Sequence, residues 1–461
     1  MSLSVIVQPV AVPALVSTST WPVSILAAGN DNVTTISGTT LGAANVFEYK
    51  YIADVYVNGI LQVTLKAFPD PSFGIGVFNM RNVLTSFMSF DFFPNAPSPV
   101  SNIFQPCPNS SVRAQLVFGE EYVSGSTFIQ NRNITSGNTN IYINASLGYT
   151  DEINTNLFGN FALGQNAGFL TSRSGINFGT FDPVQNQKNA FNTYTNQREV
   201  VYFLGNGNFV TGGTSAQTYQ QTSIQISTYD ILGNNIGKYF LLNPLSGTTD
   251  IVMADIGYAA LNSITVSGTT VQVVTGTLPM MNASVAYYFA WLHYGTNHVF
   301  SSSAFARILY YYHPQVDCGR FAAGAYTITW LNEYGGFNTW LFNKKNETTQ
   351  NIQRQSYKKV QGKVNANGSY TLNTNSRSEV PYYTVLKDSI VMHTDFITDA
   401  DVLYLKTLIS SPAVYMTDQN GLVTSIVIKD DSYRINKKVN QKIYALEMTV
   451  EQSYNDYRQL L

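Results

Sequence analysis

Four histidines, two cysteines and a few close carboxylate pairs are the side chains in this 461-residue chain suited to metal binding or catalysis. His293 and His298 stand five apart in an aromatic segment, with Asp317 and Cys318 downstream, and His313 and His393 lie elsewhere. A zinc site needs short fixed ligand spacings such as HExxH. No such spacing occurs, so the histidines read as packed or surface residues and no metal ligand is assigned. Cys107 sits in the proline-flanked loop Gln105-Pro-Cys-Pro, and neither it nor Cys318 belongs to a CxxC pair. A disulfide framework is therefore not expected, and two free thiols suit a reducing compartment.

Glycan cleavage would require two carboxyl groups facing one sugar. The close pairs are Glu120-Glu121, Asp151-Glu152, Asp430-Asp431, and Asp399 with Asp401. Neighbours on a strand point to opposite faces, so Glu120 and Glu121 cannot share a site. Asp399 and Asp401 suit the first turn of a helix, where carboxylates meet unpaired backbone amides. Gly205-Asn-Gly207 with Gly212-Gly213 lacks both the Lys-Ser/Thr of a phosphate loop and the following helix of a dinucleotide turn. No GxSxG elbow is present. The sequence thus assigns no catalytic residue, no cofactor site and no metal site, and the chain reads as non-enzymatic.

Composition points the same way. Hydrophobic residues make up 44%, enough to fill real cores, whereas charged residues are only 12%, about half the usual share. Asn, Thr, Ser, Gln and Gly supply the missing polarity, a surface suited to large β assemblies with broad interfaces. The 30 Tyr and 27 Phe favour half-buried pleated surfaces and anchor interfaces. A net charge of −2 provides no general basic field, so nucleic acid is a disfavoured partner. Basic residues do gather over 344–363 and 429–442, which read as solvated strand or loop faces. No secretory leader and no membrane-length apolar run is visible, so no membrane partner is expected.

The elements follow from alternation and turn residues. Tyr49, Tyr51, Ala53, Val55 and Val57 share one face of a strand, Asn58-Gly59 turns it, and residues 60–68 return as its partner. Apolar spacing over 79–88 predicts a short helix using Met80, Val83, Leu84 and Phe87. Strands over 326–332 and 337–342 flank Glu333-Tyr-Gly-Gly336, and a second hairpin flanks Asp418-Gln-Asn-Gly421. Thr398 is placed to cap a helix over 398–409 that Ser411-Pro412 ends. An alternating strand over 442–452 closes the chain. The expected fold is mainly β, with several immunoglobulin- or fibronectin-like sandwiches and one or two short helices. Its expected segments are a sandwich at 1–125, a loop-rich β region at 126–240, a β domain at 241–330 and a β domain at 331–461.

Three stretches resemble a family of virion proteins from phages of Bacteroidetes hosts. They are Phe47-Glu-Tyr-Lys-Tyr-Ile-Ala-Asp-Val-Tyr-Val-Asn-Gly59 with Gly76-Val-Phe-Asn79, then Trp330-Leu-Asn-Glu-Tyr-Gly-Gly-Phe-Asn-Thr-Trp-Leu-Phe342, and the tail from Asp399 through Ser411-Pro-Ala-Val-Tyr415 to Val427-Ile-Lys-Asp430. The resemblance covers both ends and leaves about 126–300 unmatched. It implies a virion structural component of the tail, baseplate or spike, assembled in the host bacterial cytoplasm. Its implied partners are copies of itself and other virion proteins. A host-receptor adhesin that binds surface glycan through the middle region is the alternative, and a glycan-degrading tailspike a third reading.

Overall fold

The computed structural model describes residues 3–7, 23–26, 33–38, 40, 46–94, 103–145, 169–171, 191–194, 198–209, 217–245, 248–264, 271–294, 308–313, 325–342, 344, 346–372, 374–375, 377–394, 397, 399–418, 420–429, 446–454 and 456–457. The fold is mainly β, in several predominantly antiparallel sheets, with three short α-helices among the described residues. It divides into two compact units. The first takes Met1–Val316, Trp330–Thr339 and Tyr404–Ser411, and the second Asp317–Thr329, Trp340–Leu403 and Pro412–Leu461.

In the first unit the expected hairpin forms from Val46–Val57 and Ile60–Ala67. Asn58 and Gly59 take φ of 51° and 80°, the pair of positive angles that a two-residue hairpin turn requires. The hairpin is one side of a five-stranded sheet, in the order Val23–Leu26, Thr127–Asn144, Ser111–Ser124, Val46–Val57, Ile60–Ala67. Tyr49, Tyr51, Ala53, Val55 and Val57 share one face as predicted, and all five enter one core cluster with Ala114, Leu116 and Phe118. Leu3, Ile36 and Phe78 join that cluster from a second sheet, Leu3–Val7, Val33–Gly38 and Gly76–Asn79. Two sheets therefore share one core. The opposite face of the hairpin strand is also covered, for Ile52 and Asp54 are buried.

Tyr51 ties the two sheets together by more than apolar contact. Its hydroxyl donates to the Gly74 carbonyl at 2.6 Å and accepts from the Gly38 amide at 3.1 Å. Gly76 lies flat against the ring: a Cβ there would meet Tyr51 Cδ2 at 2.4 Å. The predicted helix over 79–88 is a single turn, Arg81–Leu84, continued by a 3₁₀ turn, Thr85–Phe87. The tighter pitch of that second turn takes Phe87 off the stripe of Met80 and Leu84, and the ring is 41% exposed.

Strands distant in sequence build the rest of this unit. Phe104–Pro106 and Val200–Leu204 flank Ile251–Asp255, which is buried at every residue; Ile251 to Ala254 are apolar, and Asp255 is paired with Arg198 at 2.8 Å. A larger sheet runs Phe191–Tyr194, Ile308–His313, Tyr287–Tyr294, Gln217–Tyr229, Asn235–Leu242, Val271–Thr275, with its first pair parallel. The turn expected at 333–336 forms between Tyr326–Leu331 and Phe337–Phe342. Asn332 organises it: Oδ1 accepts from the amides of Tyr334 (2.9 Å) and Gly336 (3.2 Å), and Nδ2 donates to the Leu170 carbonyl and Asn338 Oδ1.

In the second unit Val414–Thr417, Val423–Ile428, Glu447–Gln452, Glu379–His393 and Glu347–Lys358 lie side by side in that order. The expected turn at 418–421 forms, with Asp418 Oδ1 accepting the amides of Asn420 and Leu422 at 2.8 Å each. Leu446, Met448 and Val450 are buried, the alternation predicted for the closing strand. The expected helix forms over Asp399–Ile409, its residues to Leu403 belonging to this unit and those from Tyr404 to the first; its expected cap, Thr398, lies outside the described residues.

Candidate assembly surface

The reactive side chains singled out in the sequence are not brought together. The imidazole of His393 is described, half-buried in the Glu379–His393 strand, whereas the side chains of His293, His298 and His313 lie outside the described residues, as do Asp317 and Cys318. No group of three or more His, Cys, Asp or Glu residues among the described ones is placed to hold a metal ion. Cys107 is buried, and burial pushes its thiol well above the ordinary range. Of the glycine pairs, Gly205 donates its amide to the Asp250 carbonyl in a β connection, and Gly212-Gly213 are outside the described residues.

Glu120 and Glu121 face opposite ways, as strand geometry demands. Glu120 is buried on the core side, where Oε2 accepts from the Tyr49 hydroxyl at 2.7 Å and Oε1 from Thr40 at 3.1 Å. Glu121 turns to the other face, accepting from Lys66 Nζ at 2.8 Å and Gln130 at 3.1 Å. Burial acts to raise its pKa, but those hydrogen bonds and the charges of Lys66 and Lys50 outweigh it and hold the carboxyl below its ordinary range. Asp54 lies on that same face and pairs with Arg132 at 3.4 Å and Thr64 at 2.6 Å. Both carboxylates are thus consumed in holding strands together. Asp151-Glu152, Asp430-Asp431 and the Asp399 side chain lie outside the described residues, and Asp401 is a helical residue, half-buried.

The feature that does stand out is a ribbon in the second unit. Glu347–Lys358 pairs antiparallel with Glu379–His393 from Glu347↔Val391 to Lys358↔Glu379, with one bulge at Gln355/Ser356. Every residue of Glu347–Lys358 is exposed. At about 3.3 Å per residue the strand spans roughly 40 Å. Lys363–Val364 and Tyr370–Thr371 add a smaller hairpin between its strands, turned at Gly368 with φ of 78°.

Ile352, Tyr357, Val360, Val364, Tyr370 and Leu372 along this ribbon are 46–76% exposed. The ribbon is also basic: between Arg354 and Glu379 it carries Arg354, Lys358, Lys359, Lys363 and Arg377 against the single acid Glu379. The basic run over 344–363 had the composition of a solvated face, and its strand is one. The sequence reading missed the apolar residues beside those cations; the β-branched and aromatic residues at Ile352, Tyr357 and Val364 were the available signal.

Comparison with known proteins adds no identification: no family model matches the chain, and no curated protein matches it significantly. Among the described residues, no helix is long and apolar enough to cross a membrane.

Proposed function

We propose that this chain is a non-catalytic structural component of a bacteriophage particle, of the tail, baseplate or spike kind, that assembles as a symmetric oligomer. One observation carries the assembly part of the reading: the fully exposed Glu347–Lys358 strand with its apolar side chains. An edge strand without a partner is a template for another chain, and among the described residues this strand has a neighbour on one side only. Burying the six exposed apolar side chains against a second subunit would stabilise such a pairing. The low overall charge supports broad interfaces, and the resemblance of residues 47–59, 330–342 and 399–430 supports the phage setting.

The test replaces residues 355–383 with Asn-Gly, closing the ladder at the Arg354↔Thr384 pair. The wild-type chain should form a discrete oligomer by light scattering, and the shortened chain should remain folded and become monomeric. In purified particles, cryo-electron microscopy should place the chain in a ring or spike with the ribbon against a neighbouring subunit. A monomeric wild-type chain that is also missing from particles refutes the reading.

A further inference from the structure

A cleft of about 720 Å³ opens in the first unit, where the Asn58-Gly59 turn, the Pro106–Pro108 segment and the loop from Thr248 to Asp250 meet. Its volume lies within the range of roughly 300–1,000 Å³ usual for small-molecule sites. Strand register builds one wall. Tyr56 pairs with Gln115, and Asn58 clasps Arg113, donating its amide to the Arg113 carbonyl (2.7 Å) while its Oδ1 accepts the Arg113 amide (3.2 Å). Residues two apart on a strand share a face, so Tyr56, Asn58, Arg113 and Gln115 stand together, opposite the face on which Val55, Val57 and Ala114 enter the core.

Charge in the cleft is balanced before any ligand arrives. The Arg113 guanidinium forks onto Asp250, with Nε to Oδ2 at 3.1 Å and Nη2 to Oδ1 at 2.7 Å. Among the described residues of the lining these are the only charged ones, and burial pushes the Cys107 thiol well above its ordinary range. Around the pair, the Tyr56 hydroxyl, Asn58 Nδ2, Gln115 Oε1 and the Thr249 hydroxyl make no hydrogen bond to another described residue, although Gln115 Nε2 is held by the Gly137 carbonyl at 3.0 Å. The positive φ angles of the turn and the double Asn58–Arg113 clasp fix this wall in place.

A ligand that seals this cleft must satisfy those donors and acceptors or leave them desolvated at a cost of about 1–3 kcal/mol each. An anion would meet Asp250 and find the guanidinium already forked; a cation would find the carboxylate already neutralised. A neutral ligand dense in hydroxyls, each both donor and acceptor, matches the uncommitted groups, and the half-buried Tyr56 ring offers an apolar surface to its C–H face. We propose that the cleft lined by Tyr56, Asn58, Arg113, Gln115, Thr249 and Asp250 is a binding site for a neutral saccharide. It uses no residue of the ribbon and stands whether or not the ribbon assembles copies.

The test is saturation-transfer NMR on the full chain with neutral glucose and mannose hexasaccharides of α and β linkage, beside a uronic-acid hexamer. At least one neutral oligosaccharide should bind saturably, with a dissociation constant on the order of 1 mM or tighter. Tyr56→Ala and Thr249→Val, each checked for an unchanged melting temperature, should weaken that binding at least tenfold, a change of about 1.4 kcal/mol. Asp250→Asn should weaken it further by releasing the Arg113 charge into the cleft. No saturable binding of a neutral oligosaccharide, preference for the acidic hexamer, or unchanged binding in both folded single variants would overturn the assignment.

Discussion

The hydroxyl of Tyr49 donates to Oε2 of Glu120 at 2.7 Å, with the two side chains only 6% and 1% exposed. A carboxylate this deep in a β core is tolerable because the Thr40 hydroxyl at 3.1 Å and the Asn131 amide at 3.4 Å also donate to it. The ring that delivers the donor is fixed in turn, edge-on to Tyr51 at 4.9 Å and stacked on Tyr122 at 6.0 Å.

Glu120→Ala should therefore be among the most destabilising substitutions in the first unit. It strips the buried Tyr49 and Thr40 hydroxyls of this acceptor, and the expected loss is about 3 kcal/mol. Tyr49→Phe removes one donor and should cost about 1.5–3 kcal/mol. Urea midpoints of the two single variants and the double variant should give a coupling energy of at least about 1 kcal/mol. Additive losses would show that the pair does not act as a unit.

Stability should decline on the alkaline side. Burial is the foremost cause that pushes the Tyr49 hydroxyl above its ordinary 10.0, and the Glu120 carboxylate adds to it. Burial raises Tyr51 and Tyr202 as well. Above pH 10 the unfolded chain releases these protons and the folded one retains them, so stability is complete below that value and is lost as pH climbs through the raised folded values. Tyr49→Phe should flatten this decline in urea midpoints taken on either side of pH 10, and an equal slope in both proteins would contradict the assignment.

The acid side should report on the second unit. Lys387 and Lys429 each reach Glu451 Oε2 at 2.9 Å, and their hydrogen bonds and charges hold the carboxyl below its ordinary 4.5. A lowered folded value contributes stability above pH 4.5 that is lost as pH falls through it. Glu451→Gln should remove that dependence with little change in the fold. The check is amide exchange in Glu447–Gln452 as the pH is lowered: wild-type protection should fall, and the variant's should start lower and stay level.

Gly76→Ala should destabilise the first unit by about 1–3 kcal/mol, because the added methyl is driven into the Tyr51 ring and the core is already filled. A companion Tyr51→Leu change should recover part of the methyl's cost while giving up the hydroxyl's bonds to Gly38 and Gly74. Thermal melts of the single and double variants decide it; a neutral Gly76→Ala would mean that the sheets can separate there freely.

What was legible in the sequence was local. Period-two alternation between Tyr49 and Val57 and the Asn58-Gly59 turn specify a hairpin without reference to anything distant, and so do the turns at 333–336 and 418–421. The opposite aims of Glu120 and Glu121 follow from the pleat alone. Partnerships across long stretches of chain were not legible. Nothing in Phe104–Pro106 announces that it pairs with Ile251–Asp255, because three residues carry no period. The cleft was hidden for the same reason: Arg113 and Asp250 are ordinary surface residues until the fold joins them. Exposure of the ribbon was half visible, since its cations read as a solvated face while the apolar Ile352 and Val364 between them went unremarked.

The Arg113–Asp250 pair also sets a clock. Its members are 137 residues apart, and a ribosome adding about 5–20 residues each second needs roughly ten seconds to travel from one to the other. For that interval Phe104–Pro106 has emerged while its partner strand does not yet exist. A nascent segment in that position invites the wrong neighbour. Pro106 and Pro108 have no amide hydrogen to offer one, so two residues that wall the finished cleft also leave its unfinished edge with fewer donors.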